Sequence, residues 1–203
     1  YSHEGGPEGV LARLRDDQER ERVARWVDDR FGEALGEAVF TYIGSETNRH
    51  LEGMSVADLA RQRGVSIGTV ICEIERDEEL KVGFRGAPPD SVALWRQVSR
   101  DAVELLSRPN YMVGSDSIPL GGLPHPRAYG TFPRFLGRLR REYGILSLEQ
   151  MVQRMTDNPA RRFGLKKRGR IEKGYYADMV LFDAERITDI ATYDDPCQYP
   201  VGI

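Results

Sequence analysis

The chain has 203 residues, 40% of them hydrophobic and 30% charged, with a formal net charge of −3. That is ordinary for a soluble globular protein, and the interspersed charges leave no footprint for a nucleic-acid partner. No apolar run approaches the roughly 20 residues a membrane helix needs.

The opening Tyr1-Ser2-His3-Glu4-Gly5-Gly6 has neither an initiator Met nor a signal-peptide layout, so the chain is expected to be processed or to be a piece of something longer. Residues 8–30 then carry Val10, Leu11, Leu14, Val23, Trp26 and Val27 at helical spacing, which predicts one or two amphipathic helices. Residues 37–43 are β-branched and aromatic, and Gly44 closes them, which suits a buried strand. Ser55 is placed to cap a helix whose first turn holds Asp58 and whose end is Gly64. A second helix follows over 67–76, then a short strand over 81–85. Asp90 is expected to cap a helix running through Val92, Trp95, Val98, Val103 and Leu106 and stopping before Pro109. Residues 111–113 read as the next strand. Ser147-Leu148-Glu149-Gln150 has the capping-box pattern, and Leu148, Met151, Val152 and Met155 share one face of its helix. Near Leu165–Lys167 the helical period stops, and Asp178-Met179-Val180-Leu181-Phe182-Asp183 reads as a strand bracketed by acids.

Alternating strands and helices argue for a parallel α/β sheet or barrel. A closed eight-stranded barrel takes roughly 250 residues, and three barrel-type strands cannot close one. The expectation is therefore the C-terminal part of a barrel over residues 1–166, its remainder lying elsewhere, followed by an incomplete β-rich segment over 167–203. Cys72 and Cys197 are isolated, form no Cys-x-x-Cys pair, and suit a reducing cytoplasm.

The chemistry-bearing stretch is Tyr111-Met112-Val113-Gly114-Ser115-Asp116-Ser117, followed by Pro124-His125-Pro126-Arg127-Ala128-Tyr129-Gly130-Thr131-Phe132-Pro133-Arg134. A short apolar run delivers a carboxylate into a loop rich in Pro, Gly, His and Arg, as a barrel strand delivers a catalytic acid to the rim. Together with Met155-Thr156-Asp157-Asn158-Pro159-Ala160, Gly169-Arg170-Ile171, Gly174 to Val180 and the ending Asp195-Pro196 to Ile203, these residues resemble the N-acyl-D-amino-acid deacylase (D-aminoacylase) branch of the amidohydrolase superfamily. From residue 111 onward the likeness is specific; before it, diffuse.

The resemblance implies a metal-dependent (β/α)8 barrel with a small β-sandwich, hydrolysing the amide of N-acyl-D-amino acids. It implies zinc held by a Cys and several His from earlier barrel strands, with Asp116 completing the site as general acid/base and metal neighbour, and Arg127 holding the substrate carboxylate. Both roles suit the side chains: a carboxylate takes a proton and returns it to the leaving amine, and a guanidinium fork matches a carboxylate bidentately. The family's His-x-His motif and its Cys and later His ligands are not found in this sequence, so a further polypeptide is expected to supply them and the other half of the barrel. The isolated chain is expected to be inactive.

Other residues have weaker claims. Tyr129 suits either the pocket wall or packing beneath the loop. Ser45 and Asn48, with Arg49, lie in the loop after a strand and are candidates for substrate selectivity. His125, between two prolines, reads as shaping the mouth of the site, His50 as a polar loop contact, and His3 as a lone histidine. Ser115 has no local His partner to make it a nucleophile. Cys72 reads as core. Two rivals stay open: a dihydroorotase- or hydantoinase-like cyclic-amide hydrolase of the same superfamily, and a non-catalytic assembly subunit.

Overall fold

Ser55, Ser66, Ser91 and Ser147 each accept a hydrogen bond from the backbone N–H three residues on, and so start four of the helices. In the computed structural model, which describes residues 4–203, the chain divides into two compact units. The first holds residues up to Pro88 together with Pro119–His125; the second holds Pro89–Ile118 and Pro126–Ile203. His3 lies outside the described residues.

In the first unit, α1 (Gly6–Arg15) and α2 (Asp17–Gly36) are separated by Asp16, whose carboxylate accepts the Glu19 N–H at 2.9 Å. After β1 (Val39–Ile43), α3 (Val56–Arg63) ends on Gly64 at φ 69°, as its sequence indicates, and α4 (Ile67–Asp77) follows at once. Helices α2 and α4 approach closely. The Gly68 N–H donates to Asp28 Oδ1 at 2.6 Å, and a Cβ at Gly68 would overlap the Ala24 carbonyl. The core joins Phe40 and Ile43 of β1 to Leu51, Val56, Val70 and Ile74.

Both strands expected in this unit form, but β2 (Val82–Arg85) pairs with β1 antiparallel, with an irregularity between Phe40 and Tyr42. The expected parallel arrangement does not occur here, and the connection explains why. A single crossover helix returns the chain to the start of a parallel neighbour. Here α3 and α4 form two passes joined by only Gly64, Val65 and Ser66, which bring the chain back running the other way.

In the second unit, α5 (Val92–Leu106) is capped by Ser91, one residue after the expected Asp90. A continuous helical rod follows over α6 (Arg127–Pro133), a π-helical stretch (Arg134–Leu139) and α7 (Arg140–Tyr143). Pro133 withholds one backbone donor just where the wider turn begins. The capping box at α8 (Leu148–Met155) is complete, with Ser147 and Gln150 bonding reciprocally, and α9 (Asp157–Arg162) comes next. Val103, Leu106, Val113, Leu136, Leu139, Leu146, Met151 and Ile187 form the core.

Two strands expected from apolar runs are absent from this unit. Residues 111–113 form no ladder; Val113 instead donates its N–H to the Arg154 carbonyl at 3.1 Å. Residues 178–183 also form no ladder, and Leu181 is 91% exposed. An apolar run makes a strand only where another backbone meets it. The nearest approach to one in the C-terminal segment is an antiparallel bridge between Thr188 and Val201.

Candidate active site

The approach to Asp116 is held from behind by α8 and α9. Arg154, 3% exposed, donates Nε to the Leu106 carbonyl at 2.8 Å and Nη2 to that of Ser107 at 3.3 Å. Asn158 donates its amide to the carbonyls of Pro109 and Tyr111, both at 2.7 Å. With the Val113 bond these fasten residues 106–113 along their length. The chain then turns at Asp116, which takes a left-handed φ of 46°. That conformation costs a non-glycine residue roughly 1–2 kcal/mol, and Asp is among the residues that tolerate it.

The turn projects the Asp116 carboxylate outward, and Arg127 meets it: Nη2 lies 3.1 Å from Oδ2, with the side chains 91% and 41% exposed for Asp116 and Arg127 respectively. Arg127 is the first residue of α6, and its carbonyl accepts from the Thr131 hydroxyl at 2.7 Å. The structure thus brings together the two residues singled out as acid/base and carboxylate clamp. Ser115 and Ser117 hydroxyls lie 3.1 Å apart beside them.

Tyr129, also on α6, is engaged by Tyr199, edge to face at 5.6 Å, and by the Cys197 thiol. The charge of Cys197, then their hydrogen bond, raise the phenol above its usual range. Ser45 and Asn48 belong to the first unit and converge on a residue that sequence reasoning missed. The Glu78 carboxylate, on a residue 4% exposed, accepts from the Ser45 N–H at 2.7 Å, the Ser45 hydroxyl at 2.8 Å and the Asn48 amide at 2.6 Å. Burial pushes the Glu78 pKa up, but the hydrogen bonds from Asn48 and Ser45 outweigh it and hold the carboxyl below its ordinary value. Arg49 pairs with Glu46 at 2.6 Å, and His50 Nδ1 lies 3.1 Å from the Thr47 carbonyl. The signal for Glu78 was its position: a carboxylate closing α4 opposes the helix dipole and needs donors of its own.

Cys72 is buried, and burial pushes its thiol up to about 11, as a core residue requires. A cavity of about 510 Å³ lined by Leu148, Val152, Thr156, Asp157, Arg170 and Phe182 includes neither Asp116 nor Arg127. Among the described residues no three His, Cys, Asp or Glu side chains converge as a metal site. The donor set that zinc favours, three or more N, S or O ligands, is not met by Asp116 alone. No helix among the described residues is long and apolar enough to cross a membrane.

Comparison with known proteins gives a consistent picture. The profile of the Amidohydrolase family matches residues 55–199. A D-aminoacylase of Alcaligenes xylosoxydans xylosoxydans is 35% identical over 153 residues, covering 75% of this chain and 29% of the relative. An N-acyl-D-glutamate deacylase of the same organism is 51% identical over 92 residues, 45% of this chain and 19% of the relative. Among solved structures, the N-acyl-D-glutamate deacylase of Bordetella bronchiseptica, complexed with zinc and a phosphonate mimic of the tetrahedral intermediate, superposes with a TM-score of 0.67 at 30% identity. That superposition takes in 98% of this chain and 41% of the Bordetella chain. The chain therefore spans less than half the length of the relatives it matches.

Proposed function

This chain belongs to the amidohydrolase family, with the fold of part of a (β/α)8-type amidohydrolase, and on that premise we propose that it is part of a deacylase hydrolysing the amide of N-acyl-D-amino acids. The observation that carries the reading is the Asp116–Arg127 pair, a turn-borne acid facing a guanidinium on the first turn of a helix. The α-carboxylate of the substrate displaces Asp116 from Arg127 and takes its place as the guanidinium's partner. Asp116, released, accepts a proton from the attacking water and passes it to the nitrogen of the leaving amine. Binding of the correct substrate and arming of the base are then one event.

Zinc is the metal we propose, supported by the zinc-bound Bordetella deacylase; this chain's described residues offer it Asp116. The remaining ligands and barrel strands are proposed to come from polypeptide outside these 203 residues. Isolated Cys72 and Cys197 support a cytoplasmic setting.

The test is turnover of N-acetyl-D-amino acids by the enzyme containing this chain, with Asp116→Ala and Arg127→Gln variants. Asp116→Ala is expected to lower kcat by about 10²–10⁴-fold, the usual contribution of general acid–base catalysis. Arg127→Gln is expected to raise KM first. Unchanged turnover in Asp116→Ala would favour a scaffolding subunit, and hydrolysis of hydantoins or dihydroorotate in place of N-acetyl-D-amino acids would favour a cyclic-amide hydrolase.

A further inference from the structure

Behind the turn of α6 that carries Arg127 sits a carboxylate that the proposed reaction does not use. The Asp189 side chain is only 2% exposed. Its Oδ2 accepts from Arg134 Nε at 2.8 Å and lies 2.6 Å from Arg134 Nη2. Its Oδ1 accepts no hydrogen bond, and Arg138 Nε stands 3.8 Å from it. A charge kept this dry with one oxygen unsatisfied is costly, and a packed apolar side chain would fill the place more cheaply.

The position of Asp189 suggests what the cost achieves. Gly130 lies one turn after Arg127, and a Cβ there would come within 3.3 Å of the Asp189 Cβ, so α6 rests directly on this residue. Arg134, two turns after Arg127 on the same face, is gripped by the carboxylate and flanked by the Trp95 ring at 5.5 Å. Further along the rod the same segment is seized again. Arg140 Nη2 donates to the Ala184 carbonyl at 2.7 Å and Arg141 Nη2 to that of Ile187 at 2.9 Å. A Cβ at Gly137 would overlap the Ile187 carbonyl. Gly137 lies within the π-helical stretch, and such widened turns are frequent at functional sites.

We propose that Asp189 is a positioning residue: through Arg134 and Gly130 it sets the pitch of α6, and so the reach of Arg127 to the α-carboxylate of the substrate. The proposal rests on the reading of Arg127 as the carboxylate clamp. Displacing a positioned group by about 1 Å is enough to cost up to about 10²-fold, and because Arg127 meets the substrate at its α-carboxylate, the loss is read first in the KM of substrates that carry one.

The experiment compares an N-acetyl-D-amino acid with its α-carboxamide, in the active enzyme containing this chain, for Asp189→Asn and Arg127→Gln. Asp189→Asn is expected to raise KM for the acid about tenfold or more while kcat and the KM for the amide stay within about twofold. Arg127→Gln is expected to abolish the preference for acid over amide. If Arg127→Gln abolishes it and Asp189→Asn leaves the KM for the acid within about twofold of the wild-type value, the proposal alone falls. If Arg127→Gln leaves the preference intact, the reading of Arg127 falls and the proposal with it. A loss that strikes acid and amide alike, or kcat alone, marks a merely structural residue and overturns it. Should Asp189→Asn not fold, Arg134 reads the link from its other end: Arg134→Lys retains most of the preference and Arg134→Gln loses it, and equal behaviour of the two overturns the proposal.

Discussion

Asn158 offers a direct test of how the Asp116 turn is held. Its amide gives both hydrogens to backbone carbonyls of the approach, Pro109 and Tyr111, at 2.7 Å each, on a residue 6% exposed. Replacing Asn158 by Ala strips two acceptors at once. An unsatisfied buried carbonyl costs about 1–3 kcal/mol. Tyr111 is 42% exposed, so water reaches that side of the pair and the expected sum lies near the lower end, about 2–3 kcal/mol. Asn158→Asp is the sharper variant, because it keeps the shape and turns the donor into a third oxygen facing the two carbonyls. Amide hydrogen exchange is the suitable assay, since it reports local opening residue by residue. The Val113 amide, whose N–H is bonded to the Arg154 carbonyl, is expected to exchange about 30-fold faster in Asn158→Ala, the equivalent of about 2 kcal/mol, and faster still in Asn158→Asp. Amides of β1 and α4 serve as internal references and are expected not to change. Wild-type protection of Val113 in Asn158→Asp would refute the argument that these two bonds anchor the approach to Asp116.

Two carboxylates of α4 and its end are expected to respond to pH in opposite senses. Glu78 has its pKa lowered in the fold, so its contribution is present above the ordinary carboxylate value and is lost as pH falls through the depressed one; Glu78→Gln is expected to weaken the chain by about 1–3 kcal/mol at pH 7 and to flatten its acid-unfolding profile below about pH 4. Glu75 behaves the other way: burial raises its pKa from 4.5 to about 7, so the fold loses stability as pH rises from 4.5 through 7. Glu75→Gln is expected to stabilise the chain at pH 8, by about 1–3 kcal/mol after allowance for solvent screening, and to be neutral near pH 4, both read from urea midpoints.

What the sequence discloses here is what neighbours in sequence decide. Ser55 and Ser147 bond to amides three residues on, and Gly64 ends its helix by its own freedom to take a positive φ, so each signal and its cause lie within one turn of chain. Asp116 and Arg127 were singled out separately, on a short stretch that resembles a deacylase family, and that they pair with each other was left for the structure to show. The convergence of Ser45 and Asn48 on Glu78 was hidden because that partner stands 33 and 30 residues away. The direction of the β1–β2 pairing was hidden because it depends on how many helical passes fit between the strands, and an apolar run at 178–183 says nothing about whether a second backbone meets it.

The same distinction separates the proposed acid and clamp from what aims them. Asp116 and Arg127 lie eleven residues apart, yet anchors on both arms come from beyond that stretch. The approach to Asp116 is fastened by Arg154 and Asn158, and the helix of Arg127 rests on Asp189, all of them later in the chain. Two anchors on two arms make separable demands: slackening the first is expected to misplace the acid and lower kcat, slackening the second to misplace the guanidinium and raise KM. A double variant, Asn158→Ala with Asp189→Asn, is therefore expected to show multiplicative losses in kcat/KM, since neither anchor shares a partner with the other. Losses much smaller than the product would mean that the two arms move as one body, and would require a single anchor in place of two.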